Sequence, residues 1–155
     1  MEQELCSIDG KYITFVLGRE EYGVSFNKVR EILGPEGIQD AEKNEPCMRG
    51  VMKIRNQVIP VLDLRCRFGL ETSSAKEGSA VLITSFGPNS VLAGLLVDSI
   101  RQVLHIKTSL LKKLPVIAGD PRAEFIMGTV KIEGRDILLL NLDKDGDLLP
   151  ALSRV

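Results

Sequence analysis

Few side chains in this chain of 155 residues could carry out catalysis. His105 is the one histidine, and therefore the one side chain whose ordinary pKa suits acid–base chemistry near neutral pH. Nothing in the sequence identifies a partner that would orient it, and we interpret it as a partly exposed strand residue. The sequence also contains no nucleophile elbow, phosphate-binding glycine loop, dinucleotide fingerprint or zinc-protease motif. We therefore expect no catalytic residue and no enzymatic activity.

The three cysteines are Cys6, Cys47 and Cys66. Their odd number, wide spacing and lack of a CxxC pair disfavour both structural zinc and a disulfide framework. Ordinary structural cysteines in a reduced, cytoplasmic protein are the simplest interpretation. A redox enzyme that uses Cys47 or Cys66 remains an alternative, although only Arg65 and Arg67 provide basic neighbours, both beside Cys66.

Alternating carboxylates near the C-terminus resemble a calcium-binding loop: Asp143, Asp145 and Asp147. In such a loop glycine occupies the sixth position and a bidentate glutamate the twelfth. Here Gly146 is fourth and Arg154 is twelfth. A solvated turn is the better interpretation, and we predict neither a metal site nor any cofactor.

Charge and hydropathy exclude several classes of partner. Lys and Arg total 20 against 21 for Asp and Glu, which gives a net charge of −1. Because the basic residues are scattered, neither nucleic acid nor an anionic membrane surface is an expected partner. The N-terminus does not read as a signal peptide, and no apolar run is long enough to span a membrane. These features predict a cytoplasmic protein without membrane insertion.

The remaining chemically distinctive residues are arginines that lie close together in the sequence around Asp63. Arg55, next to Asn56, occupies the tip of a predicted hairpin. A guanidinium beside apolar surface can form forked hydrogen bonds, and arginine is enriched at interfaces. We therefore interpret Arg55 as a partner-binding residue. The other three are interpreted as solvating hairpin-edge charges with internal ion pairs: Arg49, Arg65 and Arg67.

An internal duplication organises the elements that position these residues. GVSFNKVREIL (23–33) matches GLLVDSIRQVL (94–104) at an offset of 71 residues, and GVMKIRNQVIPVLDL (50–64) matches GTVKIEGRDILLLNL (128–142) at an offset of 78. A sequence that repeats once indicates two copies of a small unit. A unit of about 65 residues is marginally stable alone. The two units should therefore pack together and leave a crevice where they join.

Four short apolar hairpins, rich in β-branched residues, predict an all-β fold of small barrels. Their segments are 12–26, 51–64, 80–97 and 127–141, and residues 27–33 and 99–104 are each predicted as a turn followed by a strand. Asn56 and Gly134 occupy equivalent turn positions, where both residue types tolerate positive φ. We expect a first barrel at 11–75, a second at 76–142, and a loop with a short helix at 143–155.

The succession KYITFVLGREEYGVSFNKVREIL, RGVMKIRNQVIPVLDLRCRFG and GLLVDSIRQVL resembles the CheW-type coupling proteins of bacterial chemosensory arrays, over about residues 11–149. This resemblance implies two pseudo-repeated, five-stranded SH3-like barrels around a shared hydrophobic join, and no enzymatic activity. It also implies a chemotaxis adaptor beneath the inner membrane. Such an adaptor bridges the helical cytoplasmic tip of a chemoreceptor and the regulatory domain of a CheA-type histidine kinase.

The resemblance also implies which residues bind partners. Two segments correspond to those with which family members hold the receptor tip. The first contains Val29, Glu31 and Ile32, and the second contains Ile100 and Val103. The hairpin turn Arg55–Asn56 corresponds to a further position on which coupling depends. The repeat alignment independently places Ile100 opposite Val29, and Val103 opposite Ile32. These four apolar side chains would line the walls of one groove for an amphipathic helix. A barrel that binds a small metabolite in the crevice is the alternative.

Overall fold

The computed structural model describes residues 9–40, 47–70, 78–87, 90–113, 119–120, 122–123 and 125–142. Strands dominate these residues, as the period-2 alternation and turn chemistry of the sequence predict. The first five strands are β1 (Gly10–Leu17), β2 (Glu20–Ser25), β3 (Val29–Leu33), β4 (Met48–Ile54) and β5 (Gln57–Asp63). The next five are β6 (Ala80–Phe86), β7 (Val91–Val97), β8 (Ser99–Ile106), β9 (Ile126–Ile132) and β10 (Arg135–Leu140).

Among the described residues, helical structure is short and lies in the connections. The α-helix α1 (Leu64–Arg67) follows β5 directly, and Asp63 caps it by accepting a hydrogen bond from the backbone N–H of Arg65. Three 3₁₀ turns span Phe26–Lys28, Pro35–Gly37 and Thr108–Leu110. The helix predicted within residues 143–155 lies outside the described residues.

The strands form two five-stranded sheets, with the orders β8-β1-β2-β10-β9 and β3-β6-β7-β5-β4. We call them barrel one and barrel two, respectively. Replacing each strand by its repeat equivalent converts the first order into the second. The duplication inferred from the sequence is therefore a structural pseudo-symmetry, and the predicted pair of SH3-like barrels is confirmed.

The barrels do not divide the chain at the predicted boundary between residues 75 and 76. Barrel one combines the β1–β2 hairpin of the first copy with β8, β9 and β10 of the second, and barrel two has the reciprocal composition. The physical reason is that the chain crosses between sheets after β2 and again after β7. Because each copy contributes its first hairpin to the other copy's barrel, neither half of the sequence contains a complete barrel.

A short backbone bridge closes each barrel. After β3 the chain returns so that Gln39 pairs with Val51 of β4, and after β8 Lys112 pairs with Thr129 of β9. The bridging segments lie directly over glycines. A side chain at Gly50, whose φ is +152°, would overlap the carbonyl oxygen of Gln39. The polar connector predicted at 34–46 therefore contributes one residue, Gln39, to a barrel-closing pair.

Apolar side chains of the described residues form three clusters. One lies inside barrel one and includes Tyr12, Val130 and Leu139, and another lies inside barrel two and includes Val61 and Val81. The largest draws on both barrels, and we call it the shared core. Its fully or nearly fully buried members include Ile13, Phe15, Leu17, Tyr22, Val24, Met48, Leu62, Leu64, Phe68, Leu82, Phe86, Leu95, Val97, Phe125, Leu138 and Leu140.

The β4–β5 and β9–β10 turns have the predicted backbone chemistry. Arg55 and Asn56 have φ values of 47° and 69°, and Glu133 and Gly134 have φ values of 51° and 78°. Two successive positive φ values are typical of the type I′ turn, which matches the twist of a β-hairpin. The predicted tolerance of Asn56 and Gly134 for positive φ is confirmed, and the turns themselves are equivalent in the repeat.

Replacing Gly50 by Ala should lower the melting temperature by about 5–10 °C. The new methyl group would meet the Gln39 backbone, and overpacking of this kind costs about 1–3 kcal/mol. Thermal unfolding followed by circular dichroism measures the change. Lys53→Ala, at an exposed position of the same strand, is the control and should change the melting temperature by less than about 2 °C. Equal melting temperatures for the two variants would contradict the tight closure of barrel two.

Candidate partner-binding surface

Strands β3 and β8, which carry five of the predicted site residues, are terminal in the hydrogen-bonded order of their sheets. Each begins just after a crossing between sheets, through Phe26–Lys28 and through Asp98. The start of each strand must therefore lie close to the join between the barrels. Val29 and Ile100, which occupy equivalent positions there, are both half-buried against the shared core.

Ile32 and Val103 lie further along the same strands and are large apolar residues with 45% and 52% exposure. Ile32 pairs with Leu82 of β6, and Val103 pairs with Ile13 of β1. In adjacent strands directly paired residues point to the same face of the sheet. Since Leu82 and Ile13 belong to the shared core, both exposed side chains extend from the rim of that core. The repeat equivalence of Val103 with Ile32 is thus preserved in three dimensions.

The polar site residues Glu31 and Arg55 approach each other. Arg55 Nη2 lies 3.9 Å from Glu31 Oε1, and the Arg55 side chain is 85% exposed. An ion pair this open contributes little to stability. The Arg55 guanidinium therefore remains largely solvated at the β4–β5 tip, beside the exposed Asn56. The sequence did not predict that the Arg55 turn and β3 would meet.

A buried ion network overturns the interpretation of Arg65 as a solvating charge. The Arg65 side chain is only 4% exposed, and its guanidinium contacts Asp63 at 3.4 Å and Asp98 at 3.1 Å. The half-exposed Arg49 adds a contact to Asp63 at 3.4 Å. Arg65 is buried because α1 packs its first turn into the molecule, where the carboxylates of Asp63, at the end of β5, and Asp98, between β7 and β8, can neutralise it.

The same network links the two barrels. Asp98 Oδ2 accepts a hydrogen bond of 2.8 Å from the backbone N–H of Gly18, in the β1–β2 turn of barrel one. The backbone N–H of Asp98 donates to the carbonyl oxygen of Val16 at 3.0 Å. Arg65, which follows β5 of barrel two, therefore anchors the crossing at which the chain enters β8.

A second polar cluster attaches the β8–β9 connection to the shared core. Arg122 donates to Glu20 at 2.6 Å, to the Tyr22 hydroxyl at 2.8 Å and to Asp120 at 3.0 Å. Hydrogen bonds from Arg122 hold the pKa of Asp120 below its usual value. Burial raises the pKa of Tyr22, whose ring packs against Phe15 and Phe68. This cluster secures Phe125, which precedes β9 and extends the aromatic stack.

Cys47 and Cys66 form a disulfide bond, with their Cα atoms 5.4 Å apart. The sequence prediction that disfavoured a disulfide is therefore wrong for this pair. The residues are separated by 19 positions, so spacing alone gave no indication. The β4–β5 hairpin brings them together, since Cys47 precedes β4 and Cys66 lies in α1 just after β5.

A polar cavity of about 430 Å³ opens at one end of barrel one. Glu21 is buried beneath it, and its Oε1 lies 3.6 Å from both Arg101 Nε and Arg135 Nε. The repeat equivalent of Glu21 is Leu92, so barrel two lacks this charged group. The cavity is lined by residues of β1, β2, β8 and β10 and of the β1–β2 turn. It is therefore distinct from the apolar join that the sequence predicted as a crevice.

None of the described residues forms a group of three or more His, Cys, Asp or Glu side chains suited to a metal ion. His105 is exposed on β8, and the alternating carboxylates at 143–147 lie outside the described residues. The part of the chain with described structure contains no helix of the length and apolarity that a bilayer crossing requires.

Comparison with known proteins agrees with this architecture. The profile of the CheW-like domain matches residues 11–145. The chain belongs to the CheW-like family. Its relatives include the chemotaxis protein CheW of Klebsiella aerogenes, which is 28% identical over 138 residues, covering 89% of this chain and 82% of that protein. The chemotaxis protein CheW of Rhizobium meliloti is 30% identical over 131 residues, covering 84% and 83% of the two chains.

A solved relative has the same fold. The crystal structure of the scaffolding protein TtCheW from Thermoanaerobacter tengcongensis aligns with a TM-score of 0.77 and 26% sequence identity, covering 86% of this chain and 90% of that one. The resemblance stated from the sequence is therefore confirmed at the level of family and fold.

Replacing Arg65 by Met should destabilise the protein by about 3–5 kcal/mol, because Asp63 and Asp98 would lose their buried counter-charge. Urea unfolding at neutral pH measures the loss. Arg19→Met removes the same charge at an exposed turn position and should change stability by less than about 0.5 kcal/mol. A similar small effect at both positions would contradict the structural role assigned to Arg65.

Proposed function

We propose that the protein is a non-catalytic scaffold that couples chemoreceptors to a CheA-type histidine kinase in a chemosensory pathway. One partner is the helical cytoplasmic tip of a receptor, and the other is the regulatory domain of the kinase. The proposed location is the cytoplasm, at receptor arrays beneath the inner membrane. Membership of the CheW-like family supports this role. The observation that carries it is the pair of exposed aliphatic side chains at equivalent positions above one shared core.

The apolar join is the proposed seat of the receptor helix, and we call it the groove: Val29, Ile32, Ile100 and Val103. Val29 and Ile100 would form its floor, because they are half-buried against the shared core. Ile32 and Val103 would form its rims, because each of these residues is about half exposed. An amphipathic helix commonly binds such a surface by laying its apolar stripe along the floor. The helix would cover the rim side chains and so bury apolar area that is open to water in the free protein.

Arg55, Asn56 and Glu31 form the polar side of the proposed surface. Arg55 is held only loosely, at 3.9 Å from Glu31. A partner carboxylate could therefore replace that contact with a bidentate pair at small cost. The left-handed φ values of Arg55 and Asn56 keep the tip tight, so the guanidinium projects from a rigid turn. Pre-organisation of this kind lowers the entropy lost on binding.

Replacing Arg55 by Glu should abolish receptor-stimulated kinase activity, because the substitution reverses the charge at the exposed tip. The melting temperature should remain within about 2 °C of the wild type, since the side chain is 85% exposed. Kinase phosphorylation assayed with receptor in membranes measures the coupling. Lys131→Glu introduces the same charge change on β9 of barrel one and serves as the matched control. Full coupling by the Arg55→Glu variant would remove Arg55 from the proposed surface.

Replacing Ile32 or Val103 by Asp should weaken binding of a receptor-tip helical hairpin by about tenfold or more. Either substitution would place a charge where the helix excludes water. Isothermal titration calorimetry with the purified hairpin measures the affinity. Leu110→Asp alters another exposed aliphatic residue, beyond the end of β8, and should bind like the wild type. A strong effect of Ile32→Asp with none for Val103→Asp would contradict a groove shared by the two barrels.

A further inference from the structure

The disulfide bond between Cys47 and Cys66 lies where it can restrict movement of a hairpin. It closes the base of the β4–β5 hairpin, whose tip carries Arg55. The last backbone contact of that hairpin is the hydrogen bond of 2.8 Å from the N–H of Asp63 to the carbonyl oxygen of Cys47. The disulfide therefore continues the ladder covalently one step beyond its final hydrogen bond. It joins the residue that precedes β4, a strand that is terminal in the order of its sheet, to the third residue of α1.

The neighbours of this bond connect it to barrel one. Arg65 precedes Cys66 in α1 and contacts Asp98 at 3.1 Å. Asp98 is the residue directly before β8. A bond that fixes the position of α1 therefore also fixes the position of Arg65 and, through Asp98, the first residues of β8. Ile100, near the start of that strand, packs on the shared core.

We propose that Cys47 and Cys66 form a reversible redox site that locks the β4–β5 hairpin and, through Arg65 and Asp98, the entry into β8. This regulatory role rests on the proposed cytoplasmic location, because structural disulfides do not persist in a reducing compartment. In that compartment the pair would be reduced at rest, and a rise in oxidant would close it. Both residues are half-buried rather than fully enclosed, so a small oxidant has access to them.

The chemistry is thiol–disulfide exchange with a low-molecular-weight disulfide such as oxidised glutathione. One protein thiolate attacks the oxidant, forms a mixed disulfide and expels one glutathione thiolate. The second protein thiolate then attacks the protein sulfur of that mixed bond and expels the other. Two electrons pass from the cysteine pair to glutathione, and the two protons of the cysteine thiols end on the two released glutathione molecules.

The test uses the full chain carrying Cys6→Ser, so that Cys47 and Cys66 are the remaining thiols. The protein is equilibrated with reduced or with oxidised glutathione, and the cross-linked peptide is identified by mass spectrometry. Melting temperature and backbone hydrogen–deuterium exchange are then compared between the two states. Cys47→Ser and Cys66→Ser variants, which cannot close the bond, are the controls and should behave alike in both buffers.

Oxidation should raise the melting temperature by about 5–10 °C, because the bond closes a loop of roughly 20 residues. Amide exchange should slow by about fivefold or more in both β4 and the start of β8. In the Asp98→Asn variant, oxidation should still slow amide exchange in β4 but should no longer slow it at the start of β8. These readouts involve neither receptor nor kinase, so their failure would leave the proposed coupling role standing.

Absence of the Cys47–Cys66 cross-link in oxidised glutathione would overturn the redox site. A cross-link that protects β4 but leaves β8 unchanged would overturn the route through Arg65 and Asp98. So would a β8 effect that survives in Asp98→Asn. Equal responses of the wild-type pair and the two serine variants to oxidation would assign the change to another cause and also overturn the proposal.

Discussion

The structure depends on burial of one apolar layer between two barrels that have exchanged their first hairpins. Each hairpin has one face inside its barrel and the other in the shared core, as β1 illustrates with Tyr12 on one side and Phe15 on the other. A small barrel alone buries too little surface to be robust. The shared core supplies the buried apolar surface that each barrel lacks. Because the first hairpins are exchanged, neither barrel is complete without strands from the other copy. The exposed aliphatic residues on β3 and β8 are the margins of this layer.

Polar groups are placed where they reinforce the join without interrupting it. Arg65 is buried at one side with Asp63 and Asp98, and Arg122 joins Glu20 and Tyr22 at another. A buried charge is tolerable only when its partners and hydrogen bonds are in place. Both clusters tie a connection of the chain to the core, and the first also fixes the crossing into β8. The surface proposed for the receptor helix thus rests on a strand whose beginning is held by buried charges.

Much of the fold was predictable because its signals are local. Alternating apolar residues and turn chemistry located the four hairpins, and the positive φ of Asn56 and Gly134 agrees with their residue types, whereas that of Arg55 did not follow from residue type. The internal repeat gave the equivalence of Ile32 with Val103, which the strand register preserves. The exchange of hairpins was not predictable from these signals, because the same strands and turns would also form two barrels divided near residue 75. β3 pairs with β6, which is more than 45 residues away along the chain, and this long-range pairing leaves no local signal.

The contacts of the candidate site were predictable to a smaller extent, for the same reason. Family resemblance and repeat position identified the aliphatic pairs, yet nothing local showed that Arg55 would lie 3.9 Å from Glu31. Arg65 was misinterpreted because its partner Asp98 is distant in sequence, and the Cys47–Cys66 bond was missed because the hairpin that joins these residues separates them by 19 positions. Contacts between distant segments depend on the closed fold and leave little trace in spacing. The pseudo-symmetry was the exception, because the repeated sequence itself shows which distant segments are structurally equivalent.

The most direct test of the groove is a methyl NMR titration of isoleucine- and valine-labelled protein with a receptor-tip helical hairpin. The account predicts that the largest shift changes occur together at Val29, Ile32, Ile100 and Val103, with little change at Ile59 inside barrel two. Changes confined to one barrel, or centred away from both β3 and β8, would contradict it.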